Sequence, residues 1–369
     1  MKLLHIADLH LGKRVMEYST LEDAAAVMSE IREIALTLHV DAVLVAGDVY
    51  DRPVPPVEAV TLFSTFLTEM AANGIAVFVI AGNHDSPERL SFCSEILGGQ
   101  RIYVAPACKD RPTAVVLETD VGRVAIHMLP FARPAALRPF FEEPPADAVQ
   151  AMAAVLKNAD LLCADINILL AHAFVAGGRT SESEVNPVGT VELIPTSLFA
   201  GFDYVALGHL HAPQTVAPNV RYAGSPLKYS FSEVGHKKSV SVIEIKEKSA
   251  ITVQEISLHA PHDMREIRGS LASLLAGEYS EDLIRAVVTD EEVPPDARNA
   301  LRTVYPNLMR FAVENSSTRL EEDITPATCV ENRDPLSLFA EFYEAQRGVA
   351  PDETRLAIIK KLLEEVAEV

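Results

Sequence analysis

Five short apolar runs in the sequence each end in residue types that bind divalent metal ions. The run ends are Asp8-Leu9-His10, Gly47-Asp48, Gly82-Asn83-His84-Asp85, His172 and Gly208-His209-Leu210-His211. Carboxylate, imidazole and amide oxygen without thiolate suit manganese, iron or zinc, and they disfavour a structural zinc site. Any one of these histidines alone would more often be a structural polar residue at a strand end. The agreement of five run ends favours a metal centre.

The candidate ligands are too many for one metal ion. They are Asp8, His10, Asp48, Asn83, His172, His209 and His211. Two ions about 3.5–4 Å apart that share the carboxylate of Asp48 would form the two-metal arrangement used on phosphate esters. Such a pair would present a net positive charge to a phosphate. His84 is predicted to protonate the leaving oxygen or to stabilise charge on the phosphoryl group, and Asp85 to anchor its loop.

The runs that precede these residues predict buried parallel strands. In the stretch from Val40 to Ala46 six of seven residues are apolar, and turn residues follow it, as in strands covered on both faces. In open α/β sheets ligands collect outside the carboxyl ends of the strands. We expect extended strand ends, in which residues i and i+2 point the same way, to bring Asp8 with His10 into one cleft. The same reasoning applies to His209 with His211.

Periodicity in the remaining sequence predicts further elements. Helical spacing predicts helices at 21–38, 57–72 and 149–157. Alternation predicts strands at 114–117 and 123–129 and a hairpin of 239–245 with 251–256. A β-α-β-α-β pattern predicts a small module with strands at 264–268, 283–289 and 308–314 and helices ending near 275 and spanning 295–304. The loop at 176–184 is expected to reach over the site.

Composition limits the class of protein. The formal net charge of −20 argues against strong binding of nucleic acid or anionic membrane by the chain alone. A polyanionic substrate would need bound cations or a partner. The four cysteines show no paired spacing, which predicts reduced thiols and a cytoplasmic protein. No run reaches the roughly 18 apolar residues of a membrane span, so no membrane association is expected.

The motifs, taken together and in order, resemble those of the calcineurin-like metallophosphoesterases. They are Asp-x-His, Gly-Asp-x-x-Asp, Gly-Asn-His-Asp, an isolated histidine after a strand, and Gly-His-x-His. The residues around them, with Tyr222-Ala223-Gly224-Ser225-Pro226, are similar to those of bacterial nuclease subunits in this family. The resemblance implies an α/β (α+β) fold, a four-layer αββα sandwich with a small α/β capping domain and C-terminal helices.

The same resemblance implies a role for each candidate residue. One metal is implied on Asp8, His10, Asp48 and His211, and a second on Asp48, Asn83, His172 and His209. His84 is implied to be catalytic, and both ions are implied to be Mn²⁺. Asp51 departs from the eukaryotic and archaeal relatives, which carry histidine at that position.

The resemblance also implies a domain organisation. The expected parts are a metallophosphoesterase nuclease domain at 1–260, a capping domain at 261–315, an acidic linker at 316–334 and a helical segment that binds an ATPase at 335–369. The implied partner is an ATPase of the SbcC type, in a heterotetramer that contains a homodimer of this chain. Double-stranded DNA 3′–5′ exonuclease and single-stranded DNA endonuclease activities are implied, in DNA repair, recombination and replication.

Two other functions are compatible with parts of the sequence. A phosphatase or phosphodiesterase for small molecules could use the same metal site, but it would need neither the capping module nor the C-terminal segment. A scaffold protein with a vestigial metal site is disfavoured because all the ligand residue types are intact. The sequence therefore favours a two-metal phosphodiester hydrolase that acts on DNA.

Overall fold

The computed structural model of the chain describes residues 1–182, 184, 193–316 and separate positions between 336 and 360. The chain divides into two compact units, Met1–Arg265 and Glu266–Val369. The predicted linker after Ser316 and most of the predicted C-terminal helices lie outside the described residues. The limits of the four predicted parts stay predictions.

The strands and helices follow the apolar periodicity of the sequence. The strands are β1 Lys2–Ile6, β2 Arg14–Val15, β3 Tyr18–Ser19, β4 Ala42–Ala46, β5 Ala76–Ile80, β6 Ile102–Val104, β7 Thr113–Thr119, β8 Gly122–Leu129, β9 Ile166–His172, β10 Tyr204–Gly208, β11 Gln214–Ala217, β12 Val220–Tyr222, β13 Ser239–Glu247, β14 Ala250–Ser257, β15 Met264–Gly269, β16 Leu283–Val288 and β17 Leu308–Val313. The α-helices are α1 Leu21–Thr37, α2 Val57–Ala72, α3 Pro87–Leu90, α4 Ser94–Gly98, α5 Pro134–Leu137, α6 Ala148–Lys157, α7 Leu271–Leu275 and α8 Ala297–Leu301. Short 3₁₀ helices form at Arg138–Phe140, Thr196–Phe199 and Phe231–Glu233.

Two six-stranded sheets form the first unit. Their strand orders are β14-β13-β1-β4-β5-β6 and β11-β12-β10-β9-β8-β7. Strands β1, β4, β5 and β6 run parallel in the first sheet, and β8, β9, β10 and β12 run parallel in the second. The hairpin of β13 and β14 pairs antiparallel with β1 at the edge of the first sheet. The five strands that lead to candidate ligands are thus divided between two sheets.

Alternation along each central strand builds two separate cores. In β4, Ala42, Leu44 and Ala46 belong to the core between the two sheets, where Phe78 and Ile168 also lie. Val43 and Val45 belong instead to the core under α1 and α2, because successive side chains of a strand point to opposite faces.

Helices also cover the outer face of the second sheet. Val155 of α6 and Phe199 of the second 3₁₀ helix pack there in a third core with Leu169 and Val205. The layers are therefore helix, sheet, sheet and helix. This arrangement confirms the predicted fold class. Among the helices in the described part of the chain, none is both long enough and apolar enough to cross a bilayer.

The described part of the second unit is a small α/β module. Its sheet has the order β15-β16-β17, and β16 and β17 run parallel. Leu274 of α7 and Leu301 of α8 pack on Ile284, Ala286 and Val288 of β16. The predicted β-α-β-α-β pattern is therefore found in the predicted order.

Candidate metal centre

All the predicted site residues come together at the carboxyl ends of five strands. Asp8 and His10 follow β1, Asp48 follows β4, Asn83 and His84 follow β5, His172 ends β9, and His209 and His211 follow β10. The buried members are Asp8, His10, Asp48, His172 and His211. Asn83, His84 and His209 are partly exposed, so one side of the centre is open to a ligand.

The backbone at these strand ends is turned and not extended. Asp8, His10, Asp48 and His209 have positive φ angles of 53°, 41°, 49° and 109°, and β1 has already ended at Ile6. The expectation that extended strand ends align residues i and i+2 was therefore wrong. Left-handed turns aim the side chains into the cleft, and each costs roughly 1–3 kcal/mol that the surrounding structure must offset. Backbone bonds from Asp8 N to Gly47 O (3.1 Å) and from His10 N to Asp48 O (2.9 Å) hold these turns.

One cluster of ligand atoms contains Asp8, His10, Asp48 and His211. The Nε2 atoms of His10 and His211 lie 3.2 Å apart, and Oδ2 of Asp48 lies 3.8 Å from Nε2 of His10. Single ligand atoms of Asp8, His10 and His211 all fall within 4.8 Å of one another. Two imidazole nitrogens that face each other this closely need a cation between them or a proton on one of them. The donor set fits a divalent ion.

A second cluster contains Asp48, Asn83, His172 and His209. Oδ1 of Asn83 lies 3.0 Å from both Nε2 of His172 and Nδ1 of His209. Oδ2 of Asp48 lies 3.5 Å from Nε2 of His172. The Nδ1 atom of His172 bonds the carbonyl oxygen of Ala46 at 2.9 Å, which leaves Nε2 as its ligand atom. The same Asp48 oxygen therefore lies between the two clusters.

Burial and mutual charge set the protonation of the centre. Burial would raise the pKa of Asp48, but the charge of His172 and its hydrogen bond to the Asp48 carboxylate outweigh it and hold that pKa below its usual range. Burial would lower the pKa of His172, but the Asp48 and Asp8 carboxylates outweigh it and raise that pKa to about 9. Burial raises the pKa of Asp8 and lowers that of His10 well below its ordinary value. Burial and the charge of His172 lower the pKa of His209 to about 3. His10 and His209 are therefore neutral, the form in which imidazole binds metals.

His84 lies beside both clusters. Its backbone N–H donates to Oδ1 of Asp48 at 2.9 Å, and its Nδ1 lies 2.9 Å from the carbonyl oxygen of Asp51. Ligand atoms of His84, His10 and Asp48 also fall within 4.8 Å of one another. The geometry therefore accommodates His84 either as a ligand or as a group facing substrate, and its predicted catalytic role stays a prediction.

Asp85 anchors the loop that carries Asn83 and His84. Its carboxylate accepts hydrogen bonds from the backbone N–H groups of Gly82 (2.9 Å), Val49 (3.1 Å) and Tyr50 (2.9 Å). Burial and the charge of Asp48 nevertheless raise its pKa to about 6. One side chain thus connects the loop after β5 with the loop after β4.

Two glycines of the motifs lie so close to neighbouring atoms that no side chain would fit. A Cβ atom on Gly82 would overlap the carboxylate of Asp48, and one on Gly208 would overlap the carbonyl oxygen of Ala46. Gly208 lies on the second sheet and Ala46 on the first. Glycine at position 208 therefore lets the two strand ends approach closely enough for His172 to bond Ala46.

Several residues that surround the candidate ligands were not predicted from the sequence. Glu233 lies 3.0 Å from Nδ1 of His211, and Glu184 accepts from the backbone N–H of His211 at 2.7 Å. Lys13 pairs with Asp51 at 2.7 Å, whose carboxylate is also 3.8 Å from Nδ1 of His10. These single charged residues have no spacing typical of ligands. Of these residues, only Glu184 could have been expected near the site from the sequence, because it lies in the loop at 176–184 that was predicted to reach over the site.

Comparisons with known proteins agree with this geometry. Residues 1–213 match the family of calcineurin-like phosphoesterases, and residues 260–347 match the SbcD_C family, described as the type 5 capsule protein repressor C-terminal domain. The chain therefore belongs to the calcineurin-like phosphoesterases. This membership confirms the prediction of a metal-dependent phosphodiester hydrolase.

Proteins that are similar over most or all of the chain include bacterial nuclease subunits. The SbcD subunit of the SbcCD nuclease from Bacillus subtilis (strain 168) is 30% identical over 404 residues, which cover 100% of this chain and 99% of that protein. The SbcD subunit from Staphylococcus saprophyticus is 32% identical over 84% of each chain. Among solved structures, a dimetal phosphatase from Danio rerio aligns with a TM-score of 0.39 and 13% identity over 69% of this chain and 95% of that chain. The predicted similarity to SbcD, the nuclease subunit of the bacterial SbcCD complex, is confirmed.

Proposed function

We propose that this chain is the nuclease subunit of a DNA-processing complex and hydrolyses phosphodiester bonds with two Mn²⁺ ions. The observation that carries the proposal is the position of the Asp48 carboxylate between two clusters of imidazole and oxygen ligands. Full-length similarity to the SbcD subunits of SbcCD nucleases supports DNA as the substrate. We extend the proposal to 3′–5′ exonuclease activity on duplex DNA and endonuclease activity on single strands.

Each cluster would hold one ion. Asp8, His10, Asp48 and His211 would bind the first, and Asp48, Asn83, His172 and His209 the second. Bound divalent ions would neutralise phosphate charge and activate water at neutral pH. The donor set of carboxylate, imidazole and amide oxygen without thiolate supports manganese.

His84 is proposed to face the phosphoryl group. The Nδ1–H group of His84 would donate a hydrogen bond to the carbonyl oxygen of Asp51, 2.9 Å away. Nε2 would then carry the proton that is transferred to the leaving oxygen. His84 is half-buried, whereas His10, His172 and His211 are buried. Contact with substrate requires such access.

The decisive assay uses labelled linear duplex DNA with the purified chain and Mn²⁺, with and without an SbcC-type ATPase. We expect end-dependent degradation that Asp48→Ala abolishes. The alternative, a phosphodiesterase for small molecules, predicts rapid hydrolysis of bis(p-nitrophenyl) phosphate and no cutting of DNA under any of these conditions. That outcome would refute the nuclease proposal and leave the metal centre in place.

An ATPase partner is proposed to dock on the C-terminal segment. In the sequence Leu336, Phe339, Phe342 and Tyr343 recur at helical spacing, and Leu356, Ile359, Leu363 and Val366 form a second stripe. Such apolar stripes bind grooves on partner proteins. Because the chain carries a formal net charge of −20, we propose that the ATPase supplies the DNA-binding surface.

Truncation after Asn332 tests the docking. We expect the shortened chain to bind metal and to cut short single strands with Mn²⁺, but to lose co-purification with the ATPase and ATP-dependent cutting of duplex DNA. Unchanged co-purification would contradict the docking. A collapse of thermal stability would show that the helices instead fold back on the rest of the chain.

A homodimer of this chain is also proposed. Large apolar side chains are exposed on α2 and on the neighbouring α3–α4 segment, namely Val57 (76%), Val60 (42%), Phe92 (76%) and Ile96 (75%). Exposed apolar groups of this kind mark interaction surfaces. Light scattering after gel filtration should give a dimer for the wild-type chain and a monomer for Phe92→Glu. Leu162→Glu, at an exposed site elsewhere, should leave the dimer intact, and equal behaviour of the two variants would contradict this surface.

A further inference from the structure

We infer that Glu233, paired with Lys238, is a positioning residue that fixes His211 as an Nε2 ligand of the first metal ion. The inference rests on the proposed assignment of the first cluster. Neither residue belongs to a sequence motif of the metal centre. Both lie in the segment that follows the second sheet, Glu233 at the end of a 3₁₀ helix that starts at Phe231.

The Glu233 carboxylate is buried and has charged or polar partners on both oxygens. Glu233 is 0% and Lys238 only 7% exposed. Oε1 of Glu233 lies 3.0 Å from Nδ1 of His211 and accepts from the N–H of Tyr229 at 3.4 Å. Oε2 forms an ion pair with Nζ of Lys238. A buried ion pair often stabilises a fold no more than a well-packed apolar pair of similar volume. Packing alone therefore does not account for a charged pair at these two positions.

The backbone of His211 is held by the same group of residues. Its N–H donates to Oε1 of Glu184 at 2.7 Å. Its carbonyl oxygen accepts from Nζ of Lys238 at 3.0 Å and from the N–H of Ser225 at 3.1 Å. Lys238 thus contacts both the carboxylate behind the ring and the main chain of the ligand residue. His211 is therefore held both at Nδ1 of its ring and at its main chain.

The other histidine of the cluster is held differently. Nδ1 of His10 is buried and has no hydrogen-bond partner among the described residues; the nearest carboxylate oxygen in an ion-pair contact is that of Asp51, at 3.8 Å. A carboxylate on Nδ1 of a ligand histidine sets its tautomer and strengthens Nε2 as a donor. Of the two histidines in the first cluster, His211 is therefore the one whose Nδ1 is held by a carboxylate.

Metal titration tests the positioning role without using nuclease activity. The full chain binds two Mn²⁺ ions in this scheme, and calorimetry with electron paramagnetic resonance would measure each site. In Glu233→Gln/Lys238→Met, which removes both buried charges, we expect the affinity of one site to fall about 10- to 100-fold, while the other site keeps its affinity. Glu255→Gln removes an exposed carboxylate that pairs with Arg221 and should change neither site.

Combining Glu233→Gln/Lys238→Met with Asn83→Ala shows which of the two sites is weakened. That substitution should empty the second site, so adding Glu233→Gln/Lys238→Met should weaken the one ion that is left. A further variant, Glu233→Asp, keeps the ion pair with Lys238 but withdraws the carboxylate from Nδ1, and we expect the same loss. Circular dichroism of each metal-free variant would confirm folding.

Three results would overturn the inference. Wild-type affinity at both sites in Glu233→Asp, or in the double variant, would show that Glu233 serves only the ion pair. Equal weakening of both sites would indicate a general structural role. A wild-type chain that binds fewer than two ions would remove the proposed metal centre itself, and this inference with it.

Discussion

Metal binding at the second cluster should displace a proton from His172. Nε2 of this residue lies 3.5 Å from Oδ2 of Asp48, and the Asp48 and Asp8 carboxylates outweigh burial and raise its pKa to about 9. Because Nδ1 is bonded to the carbonyl oxygen of Ala46 at 2.9 Å, Nε2 must lose its proton before it can bind an ion. His172→Gln removes this titration.

The magnitude follows from the pKa of about 9 for His172. At pH 7 only about one His172 in a hundred is neutral, so the apparent affinity of the second site should rise about tenfold per pH unit up to pH 9. The folded-state pKa lies above the unfolded value of about 6.5. The protonated ring therefore stabilises the metal-free fold by about 3 kcal/mol below pH 6.5, and this contribution is lost as the pH rises from about 6.5 to 9.

Two measurements check this reasoning. Titration with Mn²⁺ at pH 7.0 in buffers of different ionisation enthalpy counts released protons, and the wild-type chain should release about one more than His172→Gln. Urea unfolding of the metal-free chain should show a free energy of unfolding that falls between pH 6.5 and 9, and His172→Gln should not show this fall. Equal proton release by the two chains, or a wild-type stability that is flat over this range, would refute the charged His172–Asp48 pair.

Further outcomes are expected from the same site and from the core. Asp48→Ala should abolish hydrolysis and lose both metal ions, whereas Asn83→Ala should lose one; elemental analysis that finds two ions in Asp48→Ala would contradict the shared carboxylate. His84→Ala should keep both ions and lose turnover, and loss of an ion would make His84 a ligand. Phe78→Ala, at a fully buried side chain between the sheets, should lower the free energy of unfolding by about 3–5 kcal/mol, measured in urea on the metal-free chain; a loss below about 1 kcal/mol would contradict tight packing of this layer.

Local periodicity was sufficient to predict most elements but not their partners. Helix α2 begins and ends at the predicted residues, Val57 and Ala72, because one buried face imposes helical spacing on the sequence. Strands β4 and β9 are both buried along their whole length. Their apolar runs have the same character, so nothing local could show that they belong to different sheets. That assignment depends on pairing between residues far apart in the chain.

In the candidate site too, local sequence predicted the residue types but not the backbone geometry or the long-range contacts. The ligand residue types were visible because each follows an apolar run that ends abruptly. The positive φ angles at Asp8 and Asp48 were not visible, since neither residue type requires that conformation. The contact between Glu233 and His211 joins positions 22 residues apart through a 3₁₀ turn. No spacing rule for ligands covers such a contact.

The candidate ligands are contributed by two different sheets. Asp48 follows a strand of the first sheet, and His172 ends a strand of the second. An ion bound by both residues would link the two sheets. It would raise the free energy of unfolding by about 2.7 kcal/mol when the free metal concentration is a hundred times its Kd. Each cluster takes ligands from both sheets, so the apolar layer that contains Leu44, Phe78 and Ile168 sets how far apart the ligands of each ion lie. We expect a methyl group removed from that layer, far from any ligand, to lower the affinity for both ions.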